Sequence, residues 1–135
     1  MIRRWLIALC IATLAGCATV VAPPPVPQAT EPQAIAAWAR VLDQYVDARG
    51  AVDFKALATN RADLDRMLRH IADTPLATFA TTNAKLAHMI NAYNALSMAN
   101  VIDSGLPETH AGLVRKLRFF VQPKQVVGGG AMSLY

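Results

Sequence analysis

Residues 81–103 read TTNAKLAHMINAYNALSMANVID, and this stretch decides the fold. Leu86, Met89, Ile90, Tyr93, Leu96 and Val101 recur at helical spacing, which predicts one long amphipathic helix. Thr81 or Thr82 supplies an N-cap hydroxyl. Gly105-Leu106-Pro107 stops the helix. Its length and patterning make it the expected central element, with the other elements packed around it.

Working outward, Ile35, Trp38, Val41, Leu42, Tyr45 and Val46 predict an amphipathic helix over residues 33–48, with Pro32 at its start and Gly50 as its C-cap. Val52-Asp53-Phe54 reads as a short extended piece. Asn60 with Asp63 resembles a capping pair, and Leu64, Met67, Leu68 and Ile71 predict a helix over 61–73 that Thr74-Pro75 breaks. Thr109 to Leu117 suits a short fourth helix, and Phe119-Phe120-Val121 is buried or strand-like. Val126-Val127, Gly128-Gly129-Gly130 and the exit through Tyr135 read as a hairpin or loop. The expected class is α+β and predominantly helical: a single incomplete domain with a minor β-hairpin near the C-terminus.

The N-terminus belongs to a different kind of segment. Arg3-Arg4 precedes an apolar run from Trp5 to Ala15, too short for the roughly 20 residues that a membrane-spanning helix needs. A charged start, a short apolar core and small residues describe a secretory signal. Leu14-Ala15-Gly16-Cys17 resembles the bacterial lipobox, whose cysteine is acylated and becomes the mature N-terminus. The expectation is therefore a signal peptide over 1–16 and lipidation at Cys17. Ala18, rather than an aspartate, follows the cysteine, which points to the periplasmic face of the outer membrane. Residues 22–32, APPPVPQATEP, hold five prolines and favour an extended, poorly folded tether. The expected organisation is residues 17–32 as lipidated tether and 33–135 as the domain.

Composition narrows the function. Loss of 16 residues leaves 119, enough for one modest domain. It also removes Arg3 and Arg4, so 11 basic residues face 9 acidic ones. No basic run interleaves with aromatics, so nucleic-acid binding lacks support. The two cysteines are Cys10, which leaves with the signal, and Cys17, which carries lipid. A mature domain then has no disulfide and no free thiol for catalysis or metal. The expected partners are the membrane, through the lipid, and an envelope protein.

Within the central helix, Asn91 and Asn94 are poor interior helix formers, because their amides compete with backbone hydrogen bonds. Such residues either clamp a neighbouring loop, including the Phe119–Gly130 backbone, or orient a ligand. Together with Tyr93 and His88 they form the candidate binding or structural polar site. His88 reads as a solvent-facing or packing histidine in preference to part of a Cys/His/Asn site, since no mature cysteine remains. His70 and His110 are isolated, and no His or carboxylate pair has metal spacing. Ser97, Ser104 and Ser133 lack a nucleophile elbow. Gly128-Gly129-Gly130 reads as a turn in preference to an anion nest, and Arg115-Lys116-x-Arg118 as a solvated face in preference to a lipid-headgroup contact. No catalytic residue, metal site or cofactor is expected.

Three pieces carry a family resemblance. They are Trp38-Ala39-Arg40-Val41-Leu42-Asp43-Gln44-Tyr45-Val46, Gly50-Ala51-Val52-Asp53-Phe54-Lys55-Ala56-Leu57, and Lys85-Leu86-Ala87 with Ile90-Asn91-Ala92-Tyr93-Asn94-Ala95-Leu96. The run from Trp38 through Tyr135 resembles the first part of the domain of unknown function 547 (DUF 547) family. His88 and Met89 stand where that family usually has two aromatics. The family pattern also continues past a stretch like 130–135 into an acidic helix and a segment with His and Cys. The resemblance implies no assigned activity. The expected function is a membrane-anchored periplasmic binding or interaction module. The alternative, by fold analogy alone, is a truncated remnant of a papain-like or transglutaminase-like hydrolase or acyltransferase domain lacking its catalytic half.

Overall fold

The computed structural model describes residues 19–106, 119–121 and 123–134. Helix α1 spans Glu31–Tyr45, α2 Phe54–Thr59, α3 Ala62–Asp73 and α4 Thr82–Asp103, with a 3-10 turn at Leu76–Thr78. Three short strands, β1 Thr19–Val21, β2 Pro123–Val127 and β3 Gly130–Met132, form one sheet in the order β1-β2-β3. The chain is α+β and predominantly helical, with its hairpin near the C-terminus. The expected fourth helix over 109–117, His110, the cluster at 115–118 and Cys17 lie outside the described residues.

Each helix end has a chemical cause. The Thr30 backbone N–H donates to Gln33 Oε1 at 3.0 Å where α1 begins. Helix α1 starts two residues before the expected boundary and ends at Tyr45. Gly50 does not cap it: Gly50 sits at φ +82 in the turn between Val46 and Val52, which form an isolated antiparallel bridge. Phe54 is not extended but opens α2, because Asp53 accepts from the Ala56 N–H at 3.0 Å. Asn60 closes α2 and does not cap α3, whose first turn instead follows Arg61. Thr81 Oγ1 accepts from the Ala84 N–H at 3.1 Å at the start of α4. At its end Leu106 N–H bonds Val101 O and Gly105 N–H bonds Ile102 O, a Schellman closure with Gly105 at φ +82.

Helix α1 packs on α3, and α3 packs on α4 and β2. Val41, Leu57, Leu64, Met67 and Ile71 are fully buried at the centre, with Trp38 beside them. Each such aliphatic side chain contributes about 1.5–3 kcal/mol by leaving water. Bidentate Arg40–Asp63 bonds, both 2.7 Å, tie α1 to α3, and Arg61 joins Asp65 to Asp103 at the end of α4.

The faces of α1 and α4 differ from the size-based expectation. In α1 the buried residues are Ala34, Ala37, Trp38 and Val41, while Ile35 and Leu42 are exposed. In α4 they are His88, Ala92, Ala95, Leu96, Ala99 and Asn100. Leu86, Ile90 and Tyr93 are 56%, 54% and 48% exposed. Small alanines let α4 approach its neighbours closely, and close backbone approach brings more atoms into dispersion contact than a bulky stripe would.

The proline-rich segment is not a free arm: it bends at Pro25 and Val26, and its last two residues, Glu31 and Pro32, already belong to α1. Thr19–Val21 pairs parallel with Pro123–Gln125. Ala29 reaches the hydrophobic core. Residues 21–25 line a cleft of about 390 Å³ together with Arg61, Leu68, Leu96 and Gln125. Pro-rich backbone has few donors of its own, so an edge strand followed by apolar contact is a stable way to hold it.

The hairpin turn explains its glycines. Gly128 and Gly129 occupy φ +58 and +80, as a two-residue turn between antiparallel strands requires. Their N–H groups donate to Ile71 O and Ala72 O, both at 2.9 Å. Ile71 O lacks its usual donor because residue 75 is proline, which has no N–H. The turn therefore caps the C-terminus of α3. A Cβ on Gly128 would lie 2.9 Å from Thr74 O, whereas one on Gly129 would meet nothing within 4 Å. Gly129→Ala is expected to cost about 1–2 kcal/mol, the left-handed penalty alone. Gly128→Ala is expected to cost more, because backbone must also shift. Urea unfolding of both variants checks this, and equal midpoints would refute the capping account.

Candidate functional site

The polar residues of α4 separate into three environments. Asn91 is half-buried, and its Oδ1 accepts from Trp38 Nε1 at 3.2 Å. It thus locks the largest side chain of α1 to α4. Asn94 and Tyr93 are exposed. His88 points inward and is 7% exposed, so of its two expected placements packing is the one observed. The four candidates are therefore not one site: Asn91 and His88 serve the interior, while Tyr93 and Asn94 face solvent.

The clamp expected of Asn91 or Asn94 exists, but Asn100 makes it. Asn100 Nδ2 donates to Phe119 O at 3.1 Å, and Asn100 Oδ1 accepts from Gln125 Nε2 at 2.7 Å. Asn100 and Gln125 are 6% and 5% exposed. One amide joins α4, the Phe119 backbone and strand β2 inside the protein. Asparagine inside a helix was the available signal: α4 holds four, and Asn100 lies nine residues, about two and a half turns, beyond Asn91. Loss of one member leaves buried polar groups unsatisfied, which costs about 1–3 kcal/mol. Asn100→Ala is accordingly expected to lower stability by that amount, and Asn94→Ala by under about 0.5 kcal/mol. Denaturant midpoints decide, and a reversed ranking would contradict the assignment.

His88 belongs to a second buried group. Its ring lies 4.7 Å from Phe79 and 6.0 Å, edge-on, from His70. His70 approaches Thr74 Oγ1, with Nδ1 at 3.3 Å. His88 Nε2 and Ser97 Oγ are buried without a hydrogen-bond partner. Burial pushes both imidazoles below their ordinary value, and His70 adds to this at His88. Glu31 opposes the shift at both rings, and Asp73 opposes it at His70. Two adjacent rings whose charged form is disfavoured by burial resemble a packing cluster more than an acid–base pair. Among the described residues no group of three or more His, Cys, Asp or Glu is arranged to hold a metal ion.

The glycine turn offers no anion nest at Gly128 and Gly129, since their N–H groups are taken by α3. Ser104 Oγ donates to Val101 O within the end of α4. Leu86, Ile90 and Tyr93, by contrast, form an exposed apolar stripe at i, i+4 and i+7. Met89, Tyr93 and Met132 line one shallow depression at its edge. Comparison with protein-family models, curated proteins and solved structures gives no match.

The histidine pair makes a signed prediction. A histidine with a lowered pKa in the fold takes its proton more readily when unfolded. Stability is then level above the unfolded value near pH 6.5 and falls as pH drops below it. Arg40 holds the Asp63 carboxyl below the usual range, so its contribution is lost only at lower pH, below about 4. The melting temperature is expected to fall from pH 7 to pH 5, and less steeply in His88→Phe. A flat profile would contradict the burial of neutral rings.

Proposed function

We propose that this chain is a lipid-anchored bacterial envelope protein that works as a binding module, presenting the outer face of α4 to a protein partner on the periplasmic side of the outer membrane. Two supports come from different parts of the chain. The anchor rests on Arg3-Arg4, the apolar run 5–15 and Leu14-Ala15-Gly16-Cys17. The binding role rests on a single observation, the exposed Leu86, Ile90 and Tyr93 stripe with Met132 beside it. Apolar surface of this kind, with an aromatic and methionine, is the composition that protein interfaces concentrate at their centres. No described helix is long and apolar enough to cross a membrane.

The same stripe favours a second reading. In a DUF 547-like domain of greater length, further chain would cover it, and this sequence would be the front part of a larger catalytic unit. Reading the DNA past the codon for Tyr135 separates the two: an in-frame acidic helix and His/Cys segment favours the longer domain.

The module reading has its own test in intact cells. A photo-crosslinking residue at position 90 is expected to give a discrete adduct, and one at the exposed Asp43 of α1 none. Equal adducts from both positions, or none at 90, would sink it. Cys17→Ser is expected to abolish incorporation of labelled fatty acid, and persistent labelling would refute the anchor.

A further inference from the structure

We propose that the lipid anchor is a short leash, and that the end of the fold where β1 and β2 begin faces the bilayer surface. The proposal rests on lipidation at Cys17. Strand β1 starts at Thr19, two residues beyond that cysteine. Two residues of fully extended chain span at most about 7 Å. Thr19 itself is held in the sheet, paired with Pro123. Whatever fixes Cys17 at the headgroups therefore fixes this corner of the domain beside them. The eleven proline-rich residues lie on the far side of β1 from the lipid, so they add nothing to the reach.

The chemistry of that corner suits a lipid surface. Val20 is 53% exposed and Val121 is 40% exposed. Val121 stands two residues before Pro123, the partner of Thr19, so it lies toward the same end of the parallel pair as Thr19. Asn100, Asp103 and Ser104 share a cavity with Val21, Phe119 and Pro123, which brings the C-terminal end of α4 to this corner. The N-terminal end of α4 is remote: a helix of 22 residues is about 33 Å long. The apolar stripe begins toward that remote end, at Leu86, where a protein partner has room to approach.

The mature chain keeps no cysteine but Cys17, so a single introduced thiol labels cleanly. Ser104→Cys and Asn83→Cys, each in the full acylated protein, are labelled with a fluorophore and placed in phosphatidylethanolamine/phosphatidylglycerol vesicles carrying a headgroup quencher. The Ser104→Cys label is expected to lose its fluorescence and the Asn83→Cys label to keep it. A Gly/Ser spacer of about twelve residues between Ala18 and Thr19 adds a flexible reach of about 20 Å and is expected to erase the difference. Mass spectrometry of the N-terminal peptide separates the two failures. An unmodified Cys17 overturns the anchor and the leash together. An acylated Cys17 with both labels quenched alike, or with no effect of the spacer, overturns the leash and leaves the anchor standing.

Discussion

The pair of hydrogen bonds from Gly128 and Gly129 to the last carbonyls of α3 holds the rest of the fold in place. Pro75 creates the need for them, since it takes away the donor that Ile71 O would otherwise meet. The two positive φ angles make the turn that meets it. Strand β2 is fixed against α3 by this contact. From there Gln125 reaches Asn100 in α4, and the other edge of β2 is free to take β1. Residues more than 100 positions apart in the chain are thereby brought into one sheet.

Polar residues inside this protein are used mainly to join elements. Asn91 ties α4 to Trp38, Asn100 ties it to β2 and Phe119, and Arg61 ties its C-terminal end to α3. The low dielectric of the interior makes each such bond costly to break and gives the packing a single register. His70, His88 and Phe79 pack ring against ring at the other end of the α3–α4 contact. None of these side chains belongs to the exposed stripe of Leu86, Ile90 and Tyr93, although Asn100, seven residues beyond Tyr93, continues the same helical face where it bonds Phe119 O and Gln125.

Much of this was legible before any coordinates. The bounds of α3 and α4, the Thr81 cap, the stop at Gly105 and the hairpin around the glycines follow from local chemistry that needs no tertiary partner. The buried faces of α1 and α4 do not. Alanine carries little hydrophobic weight, so a pattern judged by side-chain size selects Leu86, Ile90 and Tyr93, whereas close packing selects Ala92, Ala95 and Ala99. Helix α2 was hidden because Asp53 acts both as the end of an extended piece and as a cap. The Asn100–Gln125 bond joins segments 25 residues apart, and no local pattern records such a meeting. The composition of residues 22–32 carried no sign of the strand that precedes them or of α1 starting within them.

That strand carries the central claim, that the N-terminal segment is part of the domain and not a tether to it. Hydrogen exchange followed by mass spectrometry on the acylated protein tests it most directly. The account predicts that residues 19–21 exchange on the same slow scale as residues 123–127, because the two strands share one ladder. Exchange of residues 19–21 at the rate of an unstructured peptide, with residues 123–127 still protected, would contradict it.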